Sequence, residues 1–337
     1  MKKITRWLFE ILLALILLFT TLWFIATQPL FFVDDSQTMP DVNSKILASH
    51  VHQLSEVLPA RFSFEKSLTP TLHWIEKQLQ PFEKEGRKSY RQSYRQSYQA
   101  DEQTFHNIIL EFGPKATIDD ELIIVGAHYD TTHGYPGADD NGSGVAGLIE
   151  LARLLSENPQ LISQPIQLVF YTLEEPPYFR TEKMGSYIHA SSLKKKKQKV
   201  KIMISLDMIG YFSDDKDSQH FPLPLLDKIY PNQGNFIAIV GNLSNMGAVR
   251  TIKHSFRTAT DLPVYSFNSP RFVPGIDFSD HLNFWDLGYP AVLITDTSFN
   301  RNLVYHTEHD TADKLDYEKM AKVVQALFKT MVDYQTK

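Results

Sequence analysis

The sequence predicts an α/β protein: a three-layer sandwich with a mixed, largely parallel central sheet, preceded by one N-terminal transmembrane helix. Three observations lead to this fold class. Short apolar runs alternate with segments of helical periodicity through most of the 337 residues. Hydrophobic residues make up 43% of the chain, which is typical of a globular protein with a large core. The uncharged run near the N-terminus is long enough to cross a bilayer.

The N-terminal segment, residues 1–29, is typical of a membrane anchor. Basic residues precede an uncharged run and acidic residues follow it: Lys2, Lys3 and Arg6 come before Ile11 to Pro29, and Asp34 and Asp35 come after. By the positive-inside rule, this order keeps the N-terminus cytoplasmic and exports the rest of the chain. A cleaved signal peptide is the alternative, but the apolar run exceeds the usual length and no clear small-residue cleavage site follows it. We expect a linker over residues 30–40 and one domain over residues 41–337.

Six apolar, β-branched runs predict buried strands, because strands buried on both faces are almost continuously apolar. They cover residues 107–113, 122–129, 166–174, 201–210, 235–242 and 291–297. Apolar residues at helical spacing predict a helix over residues 145–155 and another over residues 317–331. The repeat SYRQSYRQSYQA, residues 89–100, is interpreted as a solvent-facing edge strand.

Composition excludes some classes of partner and ligand. The formal net charge of -5 argues against a nucleic-acid partner, because no basic excess exists to neutralise phosphates. The chain has no cysteine, so any zinc ion must be held by His, Asp and Glu.

Charged residues gather where the predicted strands end. These residues are His128, Asp130, Asp139, Asp140, Glu174, Glu175, Asp207 and His306. Ligands of open α/β sheets bind outside the carboxyl ends of the strands, so we expect these side chains to meet at one edge. Imidazole and carboxylate ligands without thiolate suit zinc, with cobalt and manganese as alternatives, and so many carboxylates favour two ions that share one of them.

The chain resembles a known family at this point, the M28 zinc peptidases, which include bacterial leucyl-type aminopeptidases. The resemblance runs from about Asn107 to the C-terminal helix. It is carried, in the family's order, by GAHYD, PGADDNGSG, LEE followed by MGS, SLDMIGY, DFSDHLNF and YHTEHDT. The resemblance implies a zinc exopeptidase-like fold and two zinc ions.

The resemblance also implies a role for each site residue. Asp140 would bridge the two ions, His128 and Asp207 would complete one site, and Glu175 and His306 the other. Glu174 would be the general base, and Asp130 would hold the His128 ring. The family further implies a cis peptide bond between Asp140 and Asn141.

Several nearby residues are interpreted as structural. His133, His309 and Asp139 are expected to be loop residues, although Asp139 is an alternative to Asp140 as a ligand. Asp280 and His281 are expected to lie near the pocket, with Ser279 or Asp280 capping a helix. The chain departs from the family pattern after the glutamate pair, where EEPPYFRTEKMGS inserts bulky residues. We expect this insertion to form one wall of the substrate pocket.

These features predict a membrane-anchored zinc aminopeptidase that releases N-terminal residues from extracytoplasmic peptides. Two other functions stay open: a glutaminyl cyclase-like enzyme with one zinc, and a non-enzymatic ectodomain on the same fold. A preference for the carboxyl end of the substrate is also open. The sequence leaves the oligomeric state undetermined.

Overall fold

Within the residues described below, the central sheet of the computed structural model has eight strands and is mixed. The structure describes residues 2–31, 39–58, 61–83 and 90–335. The strands are β1 (Tyr90–Ala100), β2 (Gln103–Gly113), β3 (Glu121–His128), β4 (Ile166–Tyr171), β5 (Lys199–Leu206), β6 (Ile237–Gly241), β7 (Val264–Asn268) and β8 (Ala291–Thr295). Their order across the sheet is β1-β2-β4-β3-β5-β8-β6-β7.

The centre of the sheet is parallel and both sides contain antiparallel pairs. Strand β3 pairs in parallel with β4 and β5, and β5 pairs in parallel with β8. Strand β6 runs antiparallel to β8, and β7 runs parallel to β6. Strands β4, β3, β5 and β8 therefore all end at one edge, called here the metal edge.

Helices cover both faces of the sheet, which confirms the three-layer fold. The helices are α1 (Lys2–Thr27), α2 (Ser44–His52), α3 (Glu65–Leu79), α4 (Gly144–Glu157), α5 (Gly185–Lys195), α6 (Met246–Ala259), α7 (His281–Asp286) and α8 (Tyr317–Gln335). One hydrophobic cluster joins α2, α3, α4, α6 and α8 to one face, and a second joins α5 and α7 to the other. Strand β2 contributes to both clusters, because Ile108 and Ile109 point to opposite faces of the sheet.

The predicted strands all exist, but most end earlier than predicted, and two of them stop three or more residues short. Strand β4 stops at Tyr171 and β5 at Leu206, so Glu174 and Asp207 lie beyond the ladder. Strand β7, a short run whose burial alternates, was not predicted from the sequence. The tyrosine repeat forms the edge strand β1, as expected, and pairs with β2.

Helix α1 is the one helix, among the described residues, that is long and apolar enough to cross a membrane. Its span Ile4–Thr27 has a mean hydropathy of 2.5 and none of its most apolar window is buried in the protein. Asp34 and Asp35, and most of the predicted linker, lie outside the described residues.

Candidate metal centre

The expected site residues meet at the metal edge. His128 is the last residue of β3, and Asp207 directly follows β5. Glu174 and Glu175 follow β4 after a short bend. Asp140 and His306 come from the loops that precede α4 and α8. Parallel strands thus deliver side chains that are far apart in the sequence to one place.

Two groups of side chains share the carboxylate of Asp140. His128 Nε2 lies 3.3 Å from Asp140 Oδ1 and 3.6 Å from Asp207 Oδ1. On the other side, His306 Nε2 lies 3.0 Å from Asp140 Oδ2 and 3.3 Å from Glu175 Oε2. One oxygen of Asp140 therefore faces each histidine, which is the arrangement expected of a bridging carboxylate.

The chemistry of these groups fits a metal centre. The Nε2 atoms of His128 and His306 are buried and, like Glu175 Oε1, find no hydrogen-bond partner among the described residues. His128, Asp140 and Glu175 also offer ligand atoms that all lie within 4.8 Å of one another. Buried polar atoms that converge without partners are costly, and a divalent cation would satisfy them together.

Burial without a cation disturbs the protonation of the cluster. Burial raises the pKa of Glu174 well above its usual range and raises the pKa of Asp207. Burial and the neighbouring Asp140 raise the pKa of Glu175 to about 8. Burial alone would lower the pKa of His306, but Asp140 and Glu175 raise it to about 10. Metal binding would replace these protons.

The carboxylate of Asp130 contacts both the backbone of the glutamate pair and the ring of His128. Its oxygens accept hydrogen bonds from the backbone N–H groups of Glu174 (3.2 Å) and Glu175 (3.1 Å). Oδ1 also lies 3.7 Å from Nδ1 of His128, and that nitrogen lies 3.1 Å from the carbonyl of Asp130. Asp130 thus orients the His128 ring and the glutamate pair at once.

Both glutamates reach the centre because the strand ends before them. Consecutive residues of a strand point to opposite faces. Here Leu173 has a left-handed backbone conformation, φ +60°, so the chain turns just before the pair. Glu175 Oε2 faces His306, while Glu174 Oε2 lies 3.9 Å from His128 Nε2. Glu174 therefore lies beside the centre but belongs to neither of the two groups of side chains that share Asp140.

The loop before α4 separates the two adjacent aspartates. The Asp140–Asn141 peptide bond is cis, as expected. Asp310 accepts hydrogen bonds from the backbone N–H groups of both Asp139 (3.0 Å) and Asp140 (3.1 Å). The Asp139 side chain turns away and accepts from the N–H of Gly210 and the amide of Asn302. The geometry therefore favours Asp140 over Asp139 at the centre.

The DFSDHLNF segment lies behind the centre, and the predicted helix cap is wrong. Asp280 occupies the N-cap position of α7, but in the described part of the chain its side chain makes no capping hydrogen bond. The hydroxyl of Ser279 instead pairs with Ser205 at 2.9 Å.

Asp280 is buried, and burial raises its pKa to about 7 against the opposing effects of His128 and Ser186. His281 places Nε2 2.9 Å from the carbonyl of Ile276, and burial lowers its pKa to about 4.

A cavity of about 270 Å³ opens beside the centre. Asp140, Glu174 and His306 line one end, and residues of β8, β6 and β7 form the floor. Two residues of the insertion, Pro176 and Phe179, lie in its wall. The remaining lining is mostly apolar and aromatic, which suits a cavity that receives an apolar side chain.

A second loop holds the insertion in place. The guanidinium of Arg180 pairs with the carboxylate of Asp277 and lies 5.3 Å from the ring centre of Phe278. Phe179 and Phe278 make an edge contact with ring centres 6.0 Å apart, and both line the cavity. The wall of the cavity is thus a contact between two loops.

Sequence reasoning missed two residues that shape the site. Tyr305 stacks on the ring of His306 with centres 3.7 Å apart and lines the cavity. Arg61 is buried and donates hydrogen bonds to the carbonyls of Tyr129 and Gly137, holding the loop that contains Asp140. Tyr305 is the first residue of the YHTEHDT motif, but nothing in the sequence around Arg61 indicates its contact. His133 and His309 lie outside the centre: His133 pairs with Thr132, and the side chain of His309 is 71% exposed.

Fold and site together define the class of this protein: it is a metallopeptidase with an α/β exopeptidase-like fold. The chain belongs to peptidase family M28, whose family model matches residues 107–331.

Similar proteins agree with this assignment. The uncharacterized protein YfbL of Escherichia coli is 50% identical over 231 residues, covering 66% of this chain and 69% of YfbL. Leucine aminopeptidase 1 of Pyrenophora teres f. teres is 24% identical, covering 61% of this chain and 49% of that protein. This chain therefore spans about half the length of that aminopeptidase.

Two solved structures share the fold. The LapA aminopeptidase of Legionella pneumophila superposes with a TM-score of 0.70 at 19% identity, covering 88% of this chain and 74% of LapA. A glutaminyl cyclase from an Acidobacteriales bacterium superposes with a TM-score of 0.62 at 20% identity, covering 91% of this chain and all of the cyclase.

Proposed function

We propose that this protein is a zinc aminopeptidase that removes N-terminal residues from peptides outside the cytoplasm. The observation that carries the proposal is the shared carboxylate of Asp140, with one oxygen toward His128 and the other toward His306. Leucine aminopeptidases among the relatives support the choice of the amino end of the substrate.

We assign five ligands for two zinc ions to this centre. Asp140 would bridge the ions, with His128 and Asp207 on one and Glu175 and His306 on the other. All five are His or carboxylate, the donors that zinc accepts when thiolates are absent. When bound, the zinc pair would lower the pKa of a bound water and polarise the carbonyl of the scissile bond.

Glu174 is proposed as the general base. Its carboxylate is buried beside the centre and belongs to neither group of close pairs, so it is free to accept a proton from the attacking water. The same carboxyl group would then donate that proton to the leaving amine. Asp130 fixes the backbone of Glu174 and thereby the position of its carboxylate.

The walls of the cavity would hold the side chain of the N-terminal residue. Phe179, Phe278 and Phe299 line the cavity together with the metal centre. Burying an apolar side chain there removes it from water and excludes water from the reacting groups. We therefore expect a preference for large apolar N-terminal residues.

The location proposed for the enzyme follows from the N-terminal helix. We propose that residues 1–29 cross the membrane once, that residues 30–40 are a linker, and that the domain of residues 41–337 is extracytoplasmic. The basic residues before the uncharged run support this direction.

Metal analysis together with a substrate panel tests the proposal. The purified protein is expected to contain two zinc ions per chain and to hydrolyse unblocked leucyl and phenylalanyl chromogenic amides. Matched substrates with an acetylated amino group serve as the control for amino-end specificity. Cleavage of the blocked substrates alone, or of none with zinc fully bound, would contradict the proposal.

A glutaminyl cyclase is the alternative outcome of the same experiment. Peptides that begin with glutamine distinguish the two reactions, because a cyclase releases ammonia and leaves a pyroglutamyl product. Hydrolysis with no pyroglutamyl product supports the aminopeptidase.

A further inference from the structure

The end of helix α1 is packed into the catalytic domain. Thr27 and Gln28 are buried against β7 and α6, while residues 4–22 of the helix are exposed. Gln28, directly after the helix, has a left-handed φ of +41°, and its N–H donates to the carbonyl of Phe24. The junction between helix and domain is therefore an ordered contact, not a free tether.

The domain supplies the hydrogen bonds that the helix end lacks. The last carbonyls of a helix have no partner within it, and α1 carries no basic residue in its last turn. Lys253 of α6 donates to the carbonyls of Thr27 (2.7 Å) and Gln28 (3.3 Å). The hydroxyl of Ser266 donates to the carbonyl of Thr27, and the amide of Asn268 to the carbonyl of Ile25.

Lys253 suits this position electrostatically. Its side chain is 6% exposed, and burial lowers its pKa to about 8, with Arg257 and Arg250 adding to the effect. A cation at the C-terminal end of a helix is stabilised by the helix dipole. Arg250 adds a hydrogen bond to the carbonyl of Pro29 and lies 5.9 Å from the ring centre of Phe24. Two cations of α6 therefore hold the last turn of α1.

The contacts with β7 set the direction of the helix. Thr27 contacts Ser266, and Ile25, which is earlier in the helix, contacts Asn268, which is later in the strand. Helix α1 thus runs antiparallel to β7. Strand β7 in turn runs opposite to β8, so it leads away from the metal edge. The body of the helix lies beyond Asn268, on the side opposite the metal centre.

The length of the helix places the junction at the membrane surface. Twenty-four residues from Ile4 to Thr27 span about 36 Å, somewhat more than the hydrocarbon core of a bilayer. The last turn, with its buried Thr27, would then sit among the headgroups.

We propose that helix α1 is a permanent structural part of the catalytic domain, docked through Lys253, Ser266 and Asn268, and that it seats the domain on the bilayer with the metal edge facing away. The partner of this surface is the lipid headgroup region. The active centre is thereby directed toward soluble peptides in the extracytoplasmic space and away from the membrane.

Site-specific labels test the orientation. The chain has no cysteine, so one introduced cysteine gives one labelled position. Ser244 follows β6 on the side opposite the metal edge, and Glu308 is an exposed residue near the metal edge. A dye on S244C, in the full chain in lipid nanodiscs, should transfer energy strongly to labelled lipid headgroups, whereas a dye on E308C should transfer little. Equal transfer, or stronger transfer from E308C, would overturn the orientation.

Hydrogen exchange tests the docking itself. Lys253→Met keeps the length of the side chain and removes the ammonium, and Arg257→Met is the control, an exposed cation on the same helix. Exchange of the backbone amides of residues 25–30 should rise about tenfold in K253M and stay unchanged in R257M. Unchanged exchange in K253M would overturn the docking, as would protein recovered from membranes without the helix. The seating on the bilayer rests on the membrane crossing proposed above, but neither readout requires hydrolysis, so a failed docking is distinguishable from a failed peptidase assignment.

Discussion

Glu174 and Glu175 are neighbours in the chain and are proposed to do different work. The turn at Leu173 sends Glu175 toward His306 and leaves Glu174 beside His128. Asp130 holds the backbone N–H groups of both residues. The two side chains are chemically identical. Their different proposed roles therefore follow from the different directions in which the backbone points them.

Replacing the base should separate metal binding from turnover. Glu174→Gln keeps the size of the side chain and removes its ability to accept a proton. We expect kcat to fall by about 10²–10⁴-fold while zinc content stays unchanged. Hydrolysis rates and metal analysis on the same sample check this. Glu308→Gln, an exposed residue near His306, is the matched control, and full activity of E174Q would refute the assignment of the base.

At the scale of elements, the inserted loop is what distinguishes this site. It packs against the segment before α7 through Arg180, Asp277 and the edge contact of Phe179 with Phe278. Neither segment belongs to a strand or a long helix, so their mutual contact determines the position of each. The shape of this wall therefore depends on a few side chains, whereas the metal centre depends on the sheet.

Breaking the contact between the loops should change specificity and leave the metal in place. In Arg180→Ala, the insertion loses its ion pair and can move from the cavity. The ratio of kcat/KM between phenylalanyl and alanyl substrates is expected to shift by about tenfold. Lys183→Ala is the control, because Lys183 lies on the same loop but pairs with Asp101 outside the cavity. An unchanged ratio in R180A would show that this wall does not contact the substrate.

At the scale of the whole molecule, the metal centre affects folding stability. Burial holds several carboxyl groups in their protonated form when no cation is present, and it raises the pKa of Glu175 to about 8 and of Asp280 to about 7. In unfolded chains such groups titrate near pH 4. Through these groups, the metal-free folded state binds more protons than the unfolded state between about pH 4 and pH 8.

The folding stability of the metal-free protein should fall as the pH rises. Because these pKa values are raised on folding, their stabilising contribution is full below about pH 4 and is lost as the pH rises through 7 to 8. The melting temperature of chelator-treated protein should fall over this range, and added zinc should restore it most at the higher pH. Thermal unfolding at several pH values, with and without zinc, measures this. A melting temperature that rises with pH in the metal-free protein would contradict it.

The sequence by itself determined the fold class, the positions of most buried strands and the residues available to a metal. It could do so because buried parallel strands are continuously apolar and because the family motifs mark where each strand ends. Local pattern does not show where a short strand of alternating burial belongs, so β7 was missed. The predicted cap of α7 failed because Ser279 has a partner from β5, which is distant in the sequence.

Only the tertiary structure decided which of the two adjacent aspartates faces the histidines and which glutamate points toward which histidine. Both depend on contacts between distant segments, such as Asp310 with the amide groups of Asp139 and Asp140. The docking of helix α1 likewise depends on a contact between distant segments, because Lys253 lies more than two hundred residues from the carbonyls it caps. Periodicity and composition report which residues prefer burial, whereas the direction of a particular side chain follows from partners that only folding brings near.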